Sequence, residues 1–469
     1  MRKSVVVGVV VAAALAAGAS GLAQAPGAGT AAQEQQVLPP EARYWMGATT
    51  GGGMLAMAGL ASGGRPSMGS LMKMAASGIP TEGRTISLKL GSTLAAKGDP
   101  EAFHTMPPGA QVNKPIYLET PEPGKSQPGA PPTGYQTPKG QISFYWGCGE
   151  KAGPGQPVVL TFDKLVRGEN DPELQALEGS VSARGVRKPE PGNSKTYGDW
   201  PHADRRKKNN GLEAMFAAGA SLAGQHVIEG TYSPKIDFTL PADKTFMEGV
   251  RYTSTSVQPS GAIALSWTAP ARATGYSLGV MAPERMGDDS ANIIMWSSAE
   301  RPATFIVMED LTPAEVNRLI GLKAVLPPTT TNCAVPAEVV KATKDGSMLM
   351  FTAYGDEATF IHPPRPADVK VAWDQEWFAR VNFKSARMDM VSPQGVVDMS
   401  AAMSGGGTAA GTPPEAMSDE EYCKQIDAQA AAKPSVADAI PGGRLFRGLR
   451  KKPEPPSATD PRCANLKKK

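Results

Sequence analysis

The sequence has few of the residues, and none of the short motifs, that mark the common classes of enzyme. It contains only four histidines, His104, His202, His226 and His362, and no two of them have the H-x-H or H-E-x-x-H spacing of a local metal site. It also lacks the G-x-S-x-G turn of serine hydrolases, the phosphate loop G-x-x-x-x-G-K-[ST], and a G-x-G-x-x-G segment opening a helix after a strand. These absences disfavour zinc hydrolases, serine hydrolases and nucleotide-dependent enzymes. We expect no cofactor and no metal site, and we assign no catalytic residue.

Long apolar runs are also scarce, and the pronounced one lies at the N-terminus. Residues 1–25 combine Arg2 and Lys3 with an apolar run over 5–17 and with small residues that end in Ala23-Gln24-Ala25. This is the pattern of a secretory signal peptide, and the run is too short for a membrane span. No later apolar stretch reaches the length of about 18 residues that a spanning helix needs. We expect an exported bacterial protein, periplasmic or extracellular, with no transmembrane segment in the mature chain.

Cysteine is rare as well, with four residues in the chain: Cys148, Cys333, Cys423 and Cys463. In an oxidising compartment an even number suggests disulfide bonds, and four cysteines allow three ways of forming two bonds. The simplest arrangement joins Cys148 to Cys333 and Cys423 to Cys463. Free buried thiols or metal ligands are the alternatives, although no two cysteines have the C-x-x-C spacing of a zinc knuckle.

Charge of the two signs is nearly balanced over the whole chain, with a formal net charge of +3 at pH 7. The balance hides a basic tail, because residues 441–469 hold nine Lys or Arg against Glu454 and Asp460. On an exported protein such a tail predicts contact with envelope polysaccharide, anionic lipid head groups or an acidic protein. The alternative is a solvated end without a partner. The signal peptide disfavours nucleic acid as a partner.

Glycine (51 residues) and proline (43 residues) are abundant by contrast, and many lie in segments of low complexity. Residues 26–83 are rich in Gly, Met and Ala, and we expect them to form a flexible arm. Residues 121–140 read as a Pro-rich loop, and residues 391–416 as a linker. Residues 417–469 open with a capping box, Ser418 to Glu421, and predict a capped helix followed by the basic tail.

Between these segments lie short runs with the character of β-strands, and Gly or Pro separates most of them. The runs are 84–90, 115–119, 141–146, 157–162, 235–240, 250–256, 262–268, 275–281, 292–297, 304–308, 347–354, 358–362 and 379–383. The pair 347–354 and 358–362 predicts a hairpin around Gly355-Asp356. One short helix is predicted over 212–224 and a clearer one over 313–322, with Thr312 as its N-cap. This pattern predicts a mainly β protein of sandwich or barrel architecture.

One stretch resembles the fibronectin type III family. In IALSWTAPARATGYSLGV, residues 263–280, Trp267, Pro270 and Tyr276 occupy positions typical of the family's B–C hairpin. The resemblance implies an immunoglobulin-like β-sandwich with Trp267 buried between its sheets and Tyr276 on the next strand. We therefore expect two immunoglobulin-like β-sandwich domains, residues 84–244 and 245–390. A short helix is inserted in the second, and flexible arms lie at both ends.

A basic loop is the candidate binding site. Its four cations are Arg205, Arg206, Lys207 and Lys208. A cationic turn beside aromatic residues suits phosphate or carboxylate groups. The alternative is an exposed loop that its charge keeps soluble.

An aromatic run, Phe144–Trp146, precedes two carboxylates, Glu150 and Asp163. If folding brings these carboxylates across a cleft, they would suit an exported, carbohydrate-active hydrolase. The competing interpretation is core packing beside a disulfide at Cys148.

Closely spaced methionines suggest a second alternative. The pairs are Met54 and Met57, Met72 and Met74, Met348 and Met350, and Met388 and Met390. Thioethers are soft ligands that suit Cu(I). In a strand, however, the M-x-M spacing also places two side chains on one face for ordinary packing.

These observations together predict a non-catalytic protein of the cell envelope, with a binding or structural role through its β-sandwich loops and its basic tail. An exported hydrolase and a copper-binding protein are the alternatives.

Overall fold

The fold is that of a computed structural model, which describes residues 35–57, 82–121, 139–162, 187–201, 215–286, 290–302, 310–343 and 347–398. Several predicted features lie outside these residues: the signal peptide, the strand over 304–308, the capped helix and basic tail, Arg205, Arg206, Lys207, Lys208, Asp163, Cys423 and Cys463. The described part is mainly β, as predicted. None of its helices is long and apolar enough to cross a membrane.

Twenty strands and two α-helices make up the regular structure of the described residues. The strands are β1 (Val37–Leu38), β2 (Ala42–Gly53), β3 (Glu82–Ser92), β4 (Ala102–Thr105), β5 (Ile116–Tyr117), β6 (Lys139–Trp146), β7 (Val158–Thr161), β8 (Thr196–Trp200), β9 (Met215–Phe216), β10 (Gly224–Gly230), β11 (Ile236–Leu240), β12 (Arg251–Val257), β13 (Ile263–Thr268), β14 (Gly275–Met286), β15 (Ser290–Ser297), β16 (Asn332–Val335), β17 (Met348–His362), β18 (Trp373–Asp374), β19 (Trp377–Ser392) and β20 (Gly395–Val397). The helices are α1 (Pro313–Gly321) and α2 (Ala337–Ala342). Short 3-10 turns cover Met54–Met57, Pro108–Ala110 and Pro191–Asn193.

Eleven of these strands form one large sheet, with the order β7-β6-β15-β14-β17-β19-β2-β3-β8, while β20 pairs with β19 and β9 with β3. Two smaller sheets have the orders β11-β10-β4-β5 and β12-β13-β16, and β1 pairs with β18. The large sheet takes strands from both sides of residue 245. The predicted domain boundary therefore does not separate two sheets.

Strand β2 comes from the segment that we expected to be a flexible arm. It lies inside the large sheet, parallel to β19 and antiparallel to β3. Tyr44, Met46 and Ala48 alternate along it as fully buried side chains. The small residues that suggested low complexity instead allow close packing, since a Cβ at Gly51 would clash with the backbone at Leu55. The predicted linker also begins later than expected, because β19 and β20 continue the sheet to Val397.

A first hydrophobic core lies between the large sheet and the four-stranded sheet. Leu88 and Leu90 on β3 and Val381 on β19 face Ile228 on β10 and Phe238 on β11, and all five are at most 4% exposed. Burial of each large apolar side chain contributes roughly 1.5–3 kcal/mol.

A second core lies between the three-stranded sheet and another part of the large sheet. Trp267 on β13 is 2% exposed, and its ring makes edge contacts with Tyr276 on β14 at 5.5 Å and with Phe351 on β17 at 4.8 Å. The alternation of Leu278 and Val280 places further apolar side chains in the same core.

Strand β17 runs without interruption through the position where we predicted a hairpin. Gly355 and Asp356 form an irregularity in the pairing with β19, between Tyr354 and Glu357, rather than a turn. A side chain at Gly355 would clash with Met247 Sδ and with the Phe383 carbonyl oxygen, so glycine is required for close approach. The prediction was wrong because Gly-Asp also suits an irregularity within a strand.

Helix α1 matches its prediction: Thr312 Oγ1 accepts a hydrogen bond from the Glu315 N–H at 3.2 Å, and Val316 and Leu319 are buried. The predicted helix over 212–224 is wrong for the described residues 215–224. Residues Met215–Phe216 form β9 and pair with β3. Gly224 has a φ of +122°, which a helix does not accept.

The predicted disulfide between Cys148 and Cys333 is present, with a Cα–Cα distance of 5.0 Å. It joins the loop after β6, in the large sheet, to β16 at the edge of the three-stranded sheet. The bond therefore connects the two layers that enclose the second core.

Candidate functional site

A cleft of about 440 Å³ opens where the end of β2 and the start of β3 meet β12, β19 and β20. Residues from five segments of the chain line its walls. The lining residues are Gly52, Glu82, Val250, Arg251, Tyr252, Thr253, Ser254, Thr255, Arg387, Val396 and Asp398. Charged and hydroxyl side chains predominate, so the cleft is built for polar contacts.

Arg387 is the central charged group of this cleft. Its Nε donates to Asp389 Oδ2 at 2.6 Å, and its Nη2 donates to Asp389 Oδ1 at 3.0 Å. The same Nη2 lies 2.6 Å from Asp398 Oδ2, and the guanidinium carbon is 5.0 Å from the centre of the Tyr252 ring. Arg387 is only 8% exposed. These contacts hold the guanidinium in one orientation.

The glycine run at the end of β2 makes room for this arginine. A Cβ at Gly52 would lie 3.4 Å from Arg387 Nη1, and Gly53 has a φ of +59°. Within the described part of the chain, no residue accepts a hydrogen bond from Nη1. Nη1 lies beside the buried Gly52 and takes part in none of the contacts with Asp389 and Asp398.

Burial and the ion pair with Arg387 have opposite effects on the pKa of the Asp389 carboxyl. Its side chain is fully buried. Burial raises its pKa to about 6, despite the opposing effect of the Arg387 guanidinium. At neutral pH we regard Asp389 as ionised, because both oxygens accept charge-assisted hydrogen bonds. Burial likewise raises the pKa of Tyr252.

The rim of the cleft carries a second ion pair. Arg251 Nε and Nη2 donate to Glu82 Oε1 at 3.1 and 2.8 Å, and the Arg251 side chain is 75% exposed. Thr253, Ser254 and Thr255 follow on β12, an exposed edge strand of the three-stranded sheet. The cleft is thus lined by two guanidinium groups, by the carboxylates of Glu82 and Asp398 and by the hydroxyls of Thr253, Ser254 and Thr255, and both carboxylates are paired with an arginine.

The structure brings together few of the predicted site residues. Glu150 is exposed in the loop after β6, and its carbonyl oxygen accepts a hydrogen bond from the Ala337 N–H. Asp163 lies outside the described residues, so the predicted carboxylate pair has no measured separation. Phe144 is 8% exposed and packs with Leu160 in a small apolar cluster, as the packing interpretation requires.

The residues of the cleft were missed because no local motif contains them. One signal is visible in retrospect, in the segment Ala386–Ser392 of β19. Arg387 and Asp389 are two residues apart on a strand, so they share a face, and their neighbours are mostly apolar. Opposite charges at this spacing in a buried strand indicate an internal ion pair.

No group of three or more His, Cys, Asp or Glu residues suited to a metal ion occurs among the described residues. No protein-family model, curated protein sequence or solved structure matches this chain. Its class is therefore defined by its own architecture: a mainly β protein with two hydrophobic cores on one large sheet and a charged cleft.

Proposed function

We propose that the protein is exported to the cell envelope and binds polysaccharide, without catalysis, in the cleft between β12 and β19. The observation that carries this proposal is the set of oriented hydrogen-bonding groups around Arg387. A sugar hydroxyl both donates and accepts hydrogen bonds, so it can pair with Nη1 of Arg387, with carboxylate oxygens and with the hydroxyls of Thr253 and Thr255.

The charges of the cleft favour a ligand of low charge density. Arg251 and Glu82 neutralise one another, and Arg387 lies between Asp389 and Asp398. A strongly anionic polymer would meet carboxylates, and a strongly cationic one would meet guanidinium groups. Contact of the basic loop or the basic tail with anionic groups of the envelope stays a separate prediction.

Hydrolysis is less well supported by the same geometry. A glycoside hydrolase needs one carboxyl to protonate the leaving group and another to act as nucleophile or base. Asp389 is fully buried and both of its oxygens accept from Arg387. Glu82 accepts from Arg251. These carboxylates are committed to orienting arginines rather than to attacking a substrate.

Different observations support the proposed export and the proposed fold. The signal-peptide pattern and the Cys148–Cys333 bond both suit an oxidising compartment outside the cytoplasm. For the second half of the chain we propose a sandwich of the fibronectin type III kind. If the strands are lettered in chain order as in that family, β12, β13 and β16 correspond to strands A, B and E of one sheet. The facing strands β15, β14, β17 and β19 correspond to C′, C, F and G of the other sheet. Helix α1, between β15 and β16, and helix α2, between β16 and β17, depart from that pattern.

Affinity electrophoresis tests the binding proposal. The mature protein is run through native gels that contain dextran, a neutral polysaccharide, or alginate, an anionic one, and through gels without polymer. We expect retardation by dextran that exceeds retardation by alginate. Arg251→Ala should abolish most of it, because this exposed arginine contributes to the rim with little effect on folding.

Lys235→Ala is the matched control, since it removes a cation that is also exposed and also paired with a glutamate. Lys235 lies between β10 and β11, away from the cleft. The mobility of this variant in dextran should equal that of the unmodified protein. Equal mobility of the unmodified protein in all gels, or equal retardation of the Arg251 variant, would contradict binding at the cleft.

A further inference from the structure

Two of the methionine pairs meet side by side in the large sheet. In the pairing of β17 with β19, Met348 lies opposite Met390 and Met350 lies opposite Met388. Two M-x-M segments about 40 residues apart in sequence thus form a two-by-two group. We call these four residues the methionine quartet.

The quartet lies on the face of the sheet opposite the second core and the cleft. Leu349 and Phe351 on β17 belong to the second core, so Met348 and Met350 face the other way. On β19, Arg387 faces the cleft, so Met388 and Met390 also face away from it. Met350 is 5% exposed, and the other three are half-buried.

Neighbouring strands extend the sulfur-rich face. Met281 on β14 lies opposite Met348, and Met295 on β15 lies opposite Met281. The row through Met350 and Met388 is instead flanked by Gly279 and Gly53. Six of the chain's 21 methionines therefore share one face of the large sheet.

We propose that the methionine quartet binds one Cu(I) ion. Directly opposite residues have Cβ atoms about 4.5–5.5 Å apart, and each methionine side chain has three rotatable bonds beyond Cα. Metal–sulfur bonds of about 2.3 Å require sulfurs within roughly 4 Å of one another. Rotation about the side-chain bonds can bring three or four sulfurs to that spacing without movement of the strands.

The chemistry of the donors selects the metal. Neutral thioethers bind soft monovalent ions, whereas Zn²⁺ and Cu²⁺ prefer imidazole, thiolate or carboxylate groups. Cys148 and Cys333 are bonded to each other and supply no thiolate. The proposal concerns a different face of β19 from the polysaccharide cleft, so either proposal can fail without the other.

The alternative is that these methionines only pack, and substitution by leucine separates the two explanations. Leucine matches methionine in apolar character and approximate volume, and such exchanges usually cost less than about 1.5 kcal/mol each. It has no donor atom for a metal. The test variant is Met348→Leu, Met350→Leu, Met388→Leu and Met390→Leu together.

The matched control variant carries Met46→Leu, Met106→Leu and Met247→Leu. These three methionines are buried in the first core and lie outside the quartet. Circular dichroism verifies that both variants are folded before any metal is added.

The measurement is competition with the Cu(I) chelator bicinchoninate, under nitrogen and with ascorbate as reductant. The full mature chain is first treated with N-ethylmaleimide, so that no free thiol competes. We expect the unmodified protein and the control variant to withdraw one Cu(I) per chain from the chelator. The quartet variant should bind at least tenfold more weakly. Failure of the unmodified protein to withdraw Cu(I), or equal binding by the quartet variant, would overturn the proposal.

Discussion

The buried imidazoles of His104 and His226 form a chain of hydrogen bonds with a defined direction. His226 Nε2 lies 2.7 Å from the Leu222 carbonyl oxygen, which only accepts, so Nε2 carries a proton. In the neutral ring, His226 Nδ1 then accepts from His104 Nε2 at 2.9 Å. His104 Nδ1 in turn accepts from the Tyr44 hydroxyl at 2.7 Å. Both histidines are fully buried and neutral.

This chain predicts a loss of stability in acid. Burial lowers the pKa of His226 to about 4, against an opposing contribution from its bond to Leu222, and burial together with the neighbouring His226 lowers the pKa of His104 well below its ordinary value. The unfolded chain takes up these protons near pH 6.5, so stability is complete above that pH and falls as the pH decreases towards 4. The contribution of His226 is roughly 3 kcal/mol.

Urea unfolding at several pH values between 4.5 and 7.5 measures this effect. His226→Phe keeps an aromatic ring beside Phe238 but cannot take up a proton. The variant should be less stable at pH 7.5 and should depend less steeply on pH. The same slope in both proteins would show that His226 is not the titrating group.

Gly53 is a second position at which a single substitution should change the stability of the fold. It has a φ of +59°, and a Cβ there would clash with the Met388 carbonyl oxygen and the Asp389 carboxylate. We predict that Gly53→Ala lowers the free energy of unfolding by about 2–4 kcal/mol.

Gly98→Ala is the comparison for this prediction. Gly98 also has a positive φ, of +86°, but a Cβ there would have no atom within 4 Å. Gly98→Ala should lower the free energy of unfolding only by the conformational penalty of the positive φ, about 1 kcal/mol. Equal losses in the two variants, measured by urea unfolding, would mean that contact with β19 is unimportant.

The long strands β17 and β19 are the elements that connect the two cores. On β19, Val381 and Phe383 face the first core, whereas Val391 faces the second. Strands such as β3 and β11 could be predicted because an unbroken alternation of apolar and polar residues defines them. Strand β17 could not be predicted in full, because its glycine suggested a turn until the neighbouring residues were placed.

The disulfide joins β16 to the loop after β6, and the spacing of the cysteines predicted this link between two elements. Its cysteines are separated by 185 residues. Replacing both cysteines, as Cys148→Ser with Cys333→Ser, should lower the free energy of unfolding by roughly 2–5 kcal/mol, because the unfolded chain loses a long-range constraint.

Urea unfolding under non-reducing conditions measures this loss, and mass spectrometry of unreduced peptides verifies the bond in the unmodified protein. An unchanged unfolding midpoint in the double variant would contradict the stabilising role of the bond.

The whole molecule is organised by pairings that no local pattern contains. Strand β2 pairs in parallel with β19 from Ala42 opposite Trp377 to Gly53 opposite Met388. More than three hundred residues separate these partners in sequence. Composition and alternation therefore predicted the mainly β class, but they could not show that strands from both halves join one sheet.

The cleft was unpredictable for the same reason. Glu82, Arg251 and Arg387 come from three strands, and no local motif contains two of them. Only the close approach of β2 to β19, which Gly52 and Gly53 permit, brings these groups to one place. The disulfide and α1, by contrast, depend on short-range or pairwise signals and could be predicted.

Hydrogen–deuterium exchange of the full mature chain, with and without dextran, tests the central claim most directly. Binding at the cleft predicts slower exchange over Arg251–Val257 of β12 and over residues 386–398, because a bound polysaccharide would cover both walls. Slower exchange confined to the basic residues 202–211 or 441–469, or no change anywhere, would contradict a polysaccharide site between β12 and β19.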